Sequence, residues 1–302
     1  MSTLAASPAA VTPPLSKDPV TVHSGSRAGA ADLLNSAALV ADLWAHRGLI
    51  RQFAARDVQM RHKGTMLGMV WMVVSPLIQL AIYTFLFTVV FPSRWERLGG
   101  VGDTAEFLLM FWCGFVVYGI FSESAGRAPG LVLDRPNLVR KVVFPLQTLP
   151  VAALSSSLVF GAVGIALLLA GDLALRGELR WTVLLFPAVL VPLLLLTLGA
   201  GWFLAALGVY IRDTRQVVAV LLQMLFFVTP IFYEAERLPE RYRWLIELNP
   251  FTPIIESARR TLLEGRLPEW GPLLVVTLLG IVAAQLGYAF FMKTRRGFPD
   301  VM

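Results

Sequence analysis

Charged residues are scarce in this chain of 302 residues: Asp, Glu, Lys and Arg make up 15% of the sequence, whereas hydrophobic residues make up 56%. A soluble globular domain carries about 25% charged residues. The shortage of charge therefore excludes a soluble enzyme and predicts a membrane protein. The net charge of +6 would also suit a nucleic-acid-binding protein. Because the basic residues flank apolar segments instead of forming one soluble block, we expect no nucleic-acid partner.

Residues that commonly carry catalysis or bind metals are also few. The single cysteine, Cys113, lies in an apolar segment and cannot form an internal disulfide. All three histidines precede residue 63, so zinc-ligand and Cys/His nucleophile spacings are missing. None of the lysines follows a glycine, which excludes the G-x-x-x-x-G-K-[ST] loop that binds nucleotide phosphates. We therefore expect a chain that is not an enzyme and that holds no metal, cofactor or ATPase site of its own.

Long uncharged segments predict the membrane spans. Four of them exceed the ~20 residues that a helix needs to cross the hydrocarbon core. Two shorter apolar segments can also cross if their polar flanks lie in the interface. Helices are expected because backbone groups in lipid must be bonded within the segment. We predict an all-α fold with six transmembrane helices, at about 64–93, 105–124, 146–171, 181–208, 216–233 and 271–292.

The distribution of Lys and Arg predicts the orientation of these spans. If both termini are cytosolic, the cytosolic segments hold a large excess of basic residues, whereas the arginines of the segment 234–270 are balanced by glutamates. Residues 1–36, rich in Ala, Ser and Pro, are predicted to form a flexible cytosolic tail. Residues 294–302 form a second cytosolic tail in this topology.

The segment 37–63 has a helical pattern but is too polar to cross the membrane. Leu39, Leu43, Ile50 and Phe53 recur near helical spacing, with Arg56 on the opposite face. This pattern predicts an amphipathic helix that lies along the cytosolic membrane surface.

The segment 234–270 contains two further short helices, predicted at 239–248 and 253–263. Thr252 is the expected N-cap of the second helix, and Gly265 is its expected end. Pro230 predicts a fifth span that ends early or kinks. We therefore expect the helix pair to re-enter the membrane from the extracytoplasmic face.

Aromatic residues are frequent at mid-span positions. Flat rings can stack on sugar faces without selecting one sequence of sugars. Ordinary packing and an interfacial belt of aromatic residues explain such rings equally well. Both alternatives stay open on the residues alone.

Several motifs along the chain together resemble one transporter family. They are Arg56-Asp57 to Lys63-Gly64-Thr65 with the following Leu67 to Trp71 and Ser75 to Leu77, then Pro136 to Pro145, Tyr210 to Arg215, and Thr229 to Tyr233 with Asn249 to Pro253. In this order they resemble the permeases of the type-2 ABC exporter family that move O-antigen and teichoic-acid polysaccharides. The resemblance covers roughly residues 40 to 293.

The resemblance implies a homodimer around a central conduit, paired with two copies of a separate P-loop ATPase subunit that binds ATP and Mg. It also implies roles for three groups of residues. ATPase coupling falls to the loop between the second and third spans and to the loop before the fifth, that is, to Arg127, Arg135, Asn137, Arg140, Lys141, Arg212 and Arg215. Rings of the first and fifth spans line the substrate conduit: Trp71, Tyr83, Phe87, Phe226, Phe227 and Tyr233. The extracytoplasmic gate contains Asn249, Pro250, Glu256, Arg259 and Arg260.

The function implied by the resemblance is export of a lipid-linked polysaccharide across the bacterial inner membrane. The substrate is expected to be O-antigen attached to undecaprenyl diphosphate, and membrane lipids surround the spans. Export of capsule, teichoic acid or a drug is the alternative within the family. A membrane glycosyltransferase or ligase is the alternative from another class, disfavoured because the acids of 234–270 alternate with arginines. A secondary carrier is disfavoured by the lack of charge in the spans.

Overall fold

The computed structural model describes residues 36–61, 63–90, 103–140, 144–233 and 239–302, with backbone only at 36, 87, 88, 103, 104 and 140. The predicted tail at 1–36 lies almost entirely outside these residues. Within them the chain is helical and contains no strand, which confirms the all-α prediction.

Thirteen α-helices are numbered here in chain order within the described ranges. They are α1 (Ser36–Ala45), α2 (Arg47–Arg61), α3 (Trp71–Phe85), α4 (Asp103–Arg127), α5 (Gly130–Leu133), α6 (Pro136–Arg140), α7 (Thr148–Arg176), α8 (Phe186–Tyr210), α9 (Thr214–Val228), α10 (Glu240–Glu247), α11 (Phe251–Arg259), α12 (Trp270–Thr294) and α13 (Phe298–Val301). Short 3₁₀ turns adjoin α3, α8 and α12, at Gly68–Val70, Trp181–Leu185 and Arg295–Gly297. Single π-helical turns follow α3 and α11, at Leu86–Val90 and Arg260–Glu264.

Five helical stretches are long and apolar enough to cross a membrane: Gly68–Phe85, Ala105–Arg127, Thr148–Arg176, Trp181–Tyr210 and Trp270–Val301. They coincide with the first, second, third, fourth and sixth predicted spans, and the chain is a polytopic membrane protein. The helix at the fifth predicted position, α9, has only 15 residues. At 1.5 Å per residue it reaches about 22 Å, short of the ~30 Å hydrocarbon core. The fifth predicted span therefore stays a prediction.

Two helix ends differ from the predicted span boundaries for a clear backbone reason. The first span begins at Gly68 and not at residue 64, because Gly64 has a φ of +88° and turns the chain out of the helix. The helix α9 ends at Val228 and not at residue 233, because Thr229, the residue before Pro230, is extended with ψ 134°. A residue that precedes proline is disfavoured in the helical region.

The last span packs very closely against α8. A Cβ built at Gly199 of α8 would lie 2.5 Å from the backbone carbon of Ala283 on α12. One built at Gly287 of α12 would collide with the carbonyl oxygen of Gly199. Such contact of two helix backbones is possible only where both helices present small residues.

The helix α4 forms the centre of the bundle and is buried along most of its length. Its rings and aliphatic side chains pack against α7, α8, α9 and α11. The indole nitrogen of Trp112 donates a hydrogen bond of 3.1 Å to the Gly164 carbonyl oxygen on α7. The free Cys113 lies fully buried in this core.

The amphipathic segment consists of two helices, α1 and α2, and packs on protein. Ala54 and Val58 of α2 are buried, and the most extensive helix contact of α2 is with α7. The predicted apolar residues Leu39, Leu43 and Phe53 contact a second hydrophobic core, which includes Leu149, Trp202 and Tyr288. These residues therefore lie partly against protein, and the position of the segment along the cytosolic membrane surface stays a prediction.

The short helices α10 and α11 meet at a bend beside the C-terminal half of α4. The Phe251 ring, at the start of α11, has its centroid 4.5 Å from that of Phe121 and 5.8 Å from that of Tyr118. The prediction of Thr252 as N-cap is wrong, because α11 already begins at Phe251 and the Asn249 side chain accepts the Phe251 N–H at 2.9 Å. The end at Gly265 is confirmed by its left-handed φ of +71°.

Candidate functional site

Two ends of the bundle carry most of its charge. The basic end is defined here by Arg61, Arg127, Arg215 and Arg295, and charge bias predicts that it is cytosolic. The opposite end is defined by Asp172, Arg176 and Glu264. Between them lies the buried Arg259 of α11 with its partner Glu256. Among the described residues no group of His, Cys, Asp and Glu could hold a metal ion.

At the basic end, ion pairs attach α2 to the end of α4. Arg127 of α4 binds Asp57 of α2, and Arg61 of α2 binds Glu123 of α4. Ser157 of α7 donates a hydrogen bond of 3.2 Å to Glu123. These charges are partly buried, so the contacts are screened less than surface pairs. Arg127, predicted to couple to an ATPase, therefore also connects the second span to the amphipathic helix.

The electrostatic balance of this cluster favours the ionised carboxylate. Burial raises the pKa of Asp57, but the hydrogen bond from Arg127 and the charges of Arg127 and Arg61 lower it more, so the net pKa lies below its ordinary value. For Arg61, burial and then the repulsion from Arg127 lower the pKa to about 10. Asp57 and Arg61 are thus both ionised at neutral pH.

The two predicted coupling loops contact each other. Arg215, at the start of α9, donates to both carboxylate oxygens of Asp134 at 3.0 Å. Arg135 donates to the Leu131 carbonyl oxygen at 2.9 Å, and Asn137 and Arg212 are exposed. The side chain of Arg140 and all of Lys141 lie outside the described residues. The bond between Arg215 and Asp134 thus joins the two loops, and Asn137, Arg212 and Arg215 are exposed.

The predicted conduit rings divide into packed and exposed groups. Tyr83 lies 4.8 Å from Phe111 and 5.4 Å from Phe115, centroid to centroid. Phe226 packs on Phe115 and on Tyr118 at 6.2 and 5.6 Å. The ring of Phe227, by contrast, is 58% exposed.

The remaining conduit residues lie at the two ends of these helices. The Tyr233 hydroxyl donates to the Val228 carbonyl oxygen at 2.9 Å, which covers the end of α9. Trp71 lines a cavity of about 580 Å³ between α3, α4 and α7, together with Arg61 and Gln79. The side chain of Phe87 lies outside the described residues. A conduit role for all six residues stays a prediction.

Arg259 is the central residue of the predicted gate and is completely buried. Its guanidinium donates to the carbonyl oxygens of Met110 at 3.1 Å and Ile231 at 2.8 Å, and it pairs with Glu256 at 2.8 Å. It therefore joins α11 to α4 and to the segment after α9. Such a buried cation is tolerated because its donors are bonded.

Other residues of the predicted gate stabilise the bend between α10 and α11 and the far end of α11. Asn249 donates to the Thr229 hydroxyl at 2.9 Å, and Pro250 precedes α11. Arg260 pairs with Glu269. At the opposite end, the Arg176 guanidinium binds Asp172 and the Leu263 carbonyl oxygen, which attaches the end of α7 to the turn that follows α11.

Sequence reasoning missed several residues of these clusters. Asp57, Arg61 and Glu123 form an ion-pair cluster although 62 residues separate Arg61 from Glu123. The only signal for these residues in the sequence was a charge at the end of an apolar segment. Such a charge indicates where the residue lies, but not which residue it pairs with. Asp134 and Asp172 were missed for the same reason.

The helical bundle with five candidate spans, an ion-paired basic end and a buried arginine on α11 defines a multi-pass membrane protein. The chain belongs to the ABC-2 type transporter family, whose model matches residues 49–263. The family recognised from the sequence motifs is therefore confirmed.

Three relatives illustrate the similarity across nearly the whole chain. The chain is 29% identical to the O-antigen export system permease protein RfbA of Myxococcus xanthus over 87% of this chain and 98% of that protein. It is 24% identical to the RfbA of Klebsiella pneumoniae over 82% of this chain and 92% of that protein. It is 24% identical to the polysialic acid transport protein KpsM of Escherichia coli over 80% of this chain and 90% of that protein.

Proposed function

We propose that this chain is the permease subunit of an ABC transporter that exports a lipid-linked polysaccharide of the O-antigen type. The observation that carries the proposal is the alignment with O-antigen export permeases over nearly their full length. The similarity to a polysialic acid transporter favours a second candidate substrate, a capsular polysaccharide. Both substrates are long polar polymers, and both require a conduit through the bilayer.

A separate ATPase subunit supplies the energy in this proposal. The chain carries no phosphate-binding loop, and the exposed surface around Arg135, Asn137, Arg212 and Arg215 is the contact proposed for the partner. The bond between Arg215 and Asp134 makes the two loops one unit. In this proposal, movement of the joined loops is transmitted to α4, which ends beside them, and to α9, which begins beside them. The ion pair of Arg127 with Asp57 transmits it further to the amphipathic helix α2.

A homodimer completes the conduit in this proposal. The first candidate span contacts its own chain sparsely, and much of α9 is exposed, including Val217, Leu221, Met224 and Phe227. Two copies that bring these helices together would enclose a path lined by exposed rings. Stacking on rings at about 1 kcal/mol each would hold a sugar chain weakly enough to let it move.

Coupling is tested by charge reversal on the loop. With Arg135, Arg140 and Lys141 all changed to Glu, the permease should still insert but should lose its ATPase on purification and lose surface polysaccharide, because like charges at an interface cost several kcal/mol. A matched control reverses Arg241 and Arg243 of α10, far along the chain from this loop. Normal ATPase retention and export in the triple variant would refute the proposed contact.

A further inference from the structure

A cavity of about 460 Å³ lies where the amphipathic helix α2 turns into the first candidate span. Six residues line it: Arg56, Gln59, Met60, Lys63, Gly68 and Met69. Its volume is far more than the ~30 Å³ share of one water molecule, so it has room for a headgroup larger than a single ion. The cavity thus combines two cations, one amide and two thioethers at the end of a membrane span.

The two cations of this cavity are uncommitted within the described part of the chain. Arg56 and Lys63 are both exposed, and neither forms an ion pair with a described carboxylate. Asp57 and Asp134 line a second cavity with Arg56, but Asp57 is bound by Arg127 and Asp134 by Arg215. Positive charge is therefore left over here, and it is suited to an anion.

The surroundings of the cavity indicate that this anion has an apolar tail. Beside Met69, the side chains of Met66, Leu67 and Val70 are all at least half exposed, and Met66 is exposed completely. They continue directly into the apolar helix α3. A free anion would gain nothing from these residues, whereas the tail of a lipid would cover them.

We propose that this cavity binds the diphosphate headgroup of the lipid-linked polysaccharide before transport, with Arg56 and Lys63 contacting phosphate oxygens and the isoprenoid tail lying along Met66 to Val70. The identity of the lipid rests on the proposed function. Arg56 also forms the wall towards Asp134 to Leu138 of the proposed ATPase contact. Headgroup binding and ATPase docking are therefore adjacent.

Binding is measured on the purified full chain in mild detergent by native mass spectrometry, with undecaprenyl diphosphate, undecaprenol or phosphatidylglycerol as the probe. The double variant Arg56→Gln, Lys63→Gln should bind undecaprenyl diphosphate at least about tenfold more weakly, because two charge-assisted contacts are lost. It should bind undecaprenol as the unchanged chain does. The matched control, Arg51→Gln, removes an exposed arginine of α2 that does not line the cavity.

Two results would overturn the inference. One is undiminished binding of undecaprenyl diphosphate by the double variant. The other is equally tight binding of phosphatidylglycerol to the unchanged chain, which would assign the cavity to bulk anionic lipid. The proposed function fails separately, if cells that lack the chain keep normal surface polysaccharide while the purified chain still binds the probe.

Discussion

The Arg259 side chain on α11 donates its Nε–H to the carbonyl oxygen of Met110 in the middle of α4, at 3.1 Å and across 149 residues of sequence. Its other nitrogens bind Ile231 and Glu256, so one cation satisfies three acceptors in a site without solvent access. The helix α11, the central helix α4 and the segment after α9 are thus fastened at one point. If α11 acts as the predicted gate, its opening requires that these bonds exchange partners or that the three elements move together.

We expect Arg259→Met to destabilise the protein by about 3–5 kcal/mol, because the partly buried Glu256 and two buried carbonyl oxygens lose this donor. Arg259→Lys keeps the charge but cannot reach all three acceptors, so its loss should be intermediate. Thermal unfolding in detergent measures both. The neighbouring Arg260→Met removes a more exposed pair with Glu269 and should cost at most about 1 kcal/mol. Equal losses at 259 and 260 would show that burial of Arg259 does not matter.

The bond between Asp57 and Arg127 should make the stability of the basic end depend on pH. The pKa of Asp57 is lowered in the folded protein, so its carboxylate stabilises the fold above the unfolded pKa of about 4. This contribution is lost as the pH falls from there through the lower folded pKa. We expect Asp57→Asn to reduce stability at pH 7 by about 1–3 kcal/mol and to flatten the decline in acid. Unfolding midpoints from pH 7 down to pH 3 test this.

A double-variant cycle isolates the pair from other effects of the substitution. If Asp57 acts through Arg127, then Asp57→Asn in a protein that already carries Arg127→Gln should cost much less than in the unchanged chain. Additive losses would mean that Asp57 stabilises the fold through other contacts.

The sequence predicted the features that depend on long uncharged segments or on a single residue. It did not predict contacts between residues that are distant in the sequence. Uncharged segments located the spans. Gly265 marked the end of the turn after α11, because glycine readily adopts the left-handed backbone conformation found there. The bond from Arg127 to Asp57 crosses 70 residues, and no spacing rule reports it. Arg259 was assigned to the gate from resemblance, but its burial depends on carbonyl acceptors on α4 and after α9, which meet α11 only in the folded chain.

The close contact of α8 and α12 makes a specific prediction at Gly287. Alanine there would place its Cβ against the carbonyl oxygen of Gly199, so the helices must separate, at a cost of about 1–3 kcal/mol. Gly271→Ala on the same helix meets nothing within 4 Å and should be neutral or slightly stabilising, since alanine favours helix. Unfolding midpoints of the two variants measure the difference. A neutral Gly287→Ala would contradict the tight approach of these helices.

Phe226 and Phe227 are neighbours in sequence but differ in environment, which separates packing from conduit function. Phe226 packs on Phe115 and Tyr118, so Phe226→Ala should lose roughly 2–4 kcal/mol of stability. Phe227 is 58% exposed, and Phe227→Ala should change stability by no more than about 0.5 kcal/mol. If its ring contacts the moving polysaccharide, export per folded permease should nevertheless fall, because one weak stacking site is lost.

The measurement is surface polysaccharide normalised to the amount of folded permease in the membrane, with Phe227→Tyr as the conservative variant. Tyrosine keeps a flat ring that can stack on sugars, so export should recover in Phe227→Tyr but not in Phe227→Leu, which keeps apolar volume without a ring. Leu279→Ala on α12 serves as a control, because its side chain is also exposed but carries no ring. Normal export by both Phe227→Ala and Phe227→Leu would place this ring against lipid, and the conduit would then be lined by other residues.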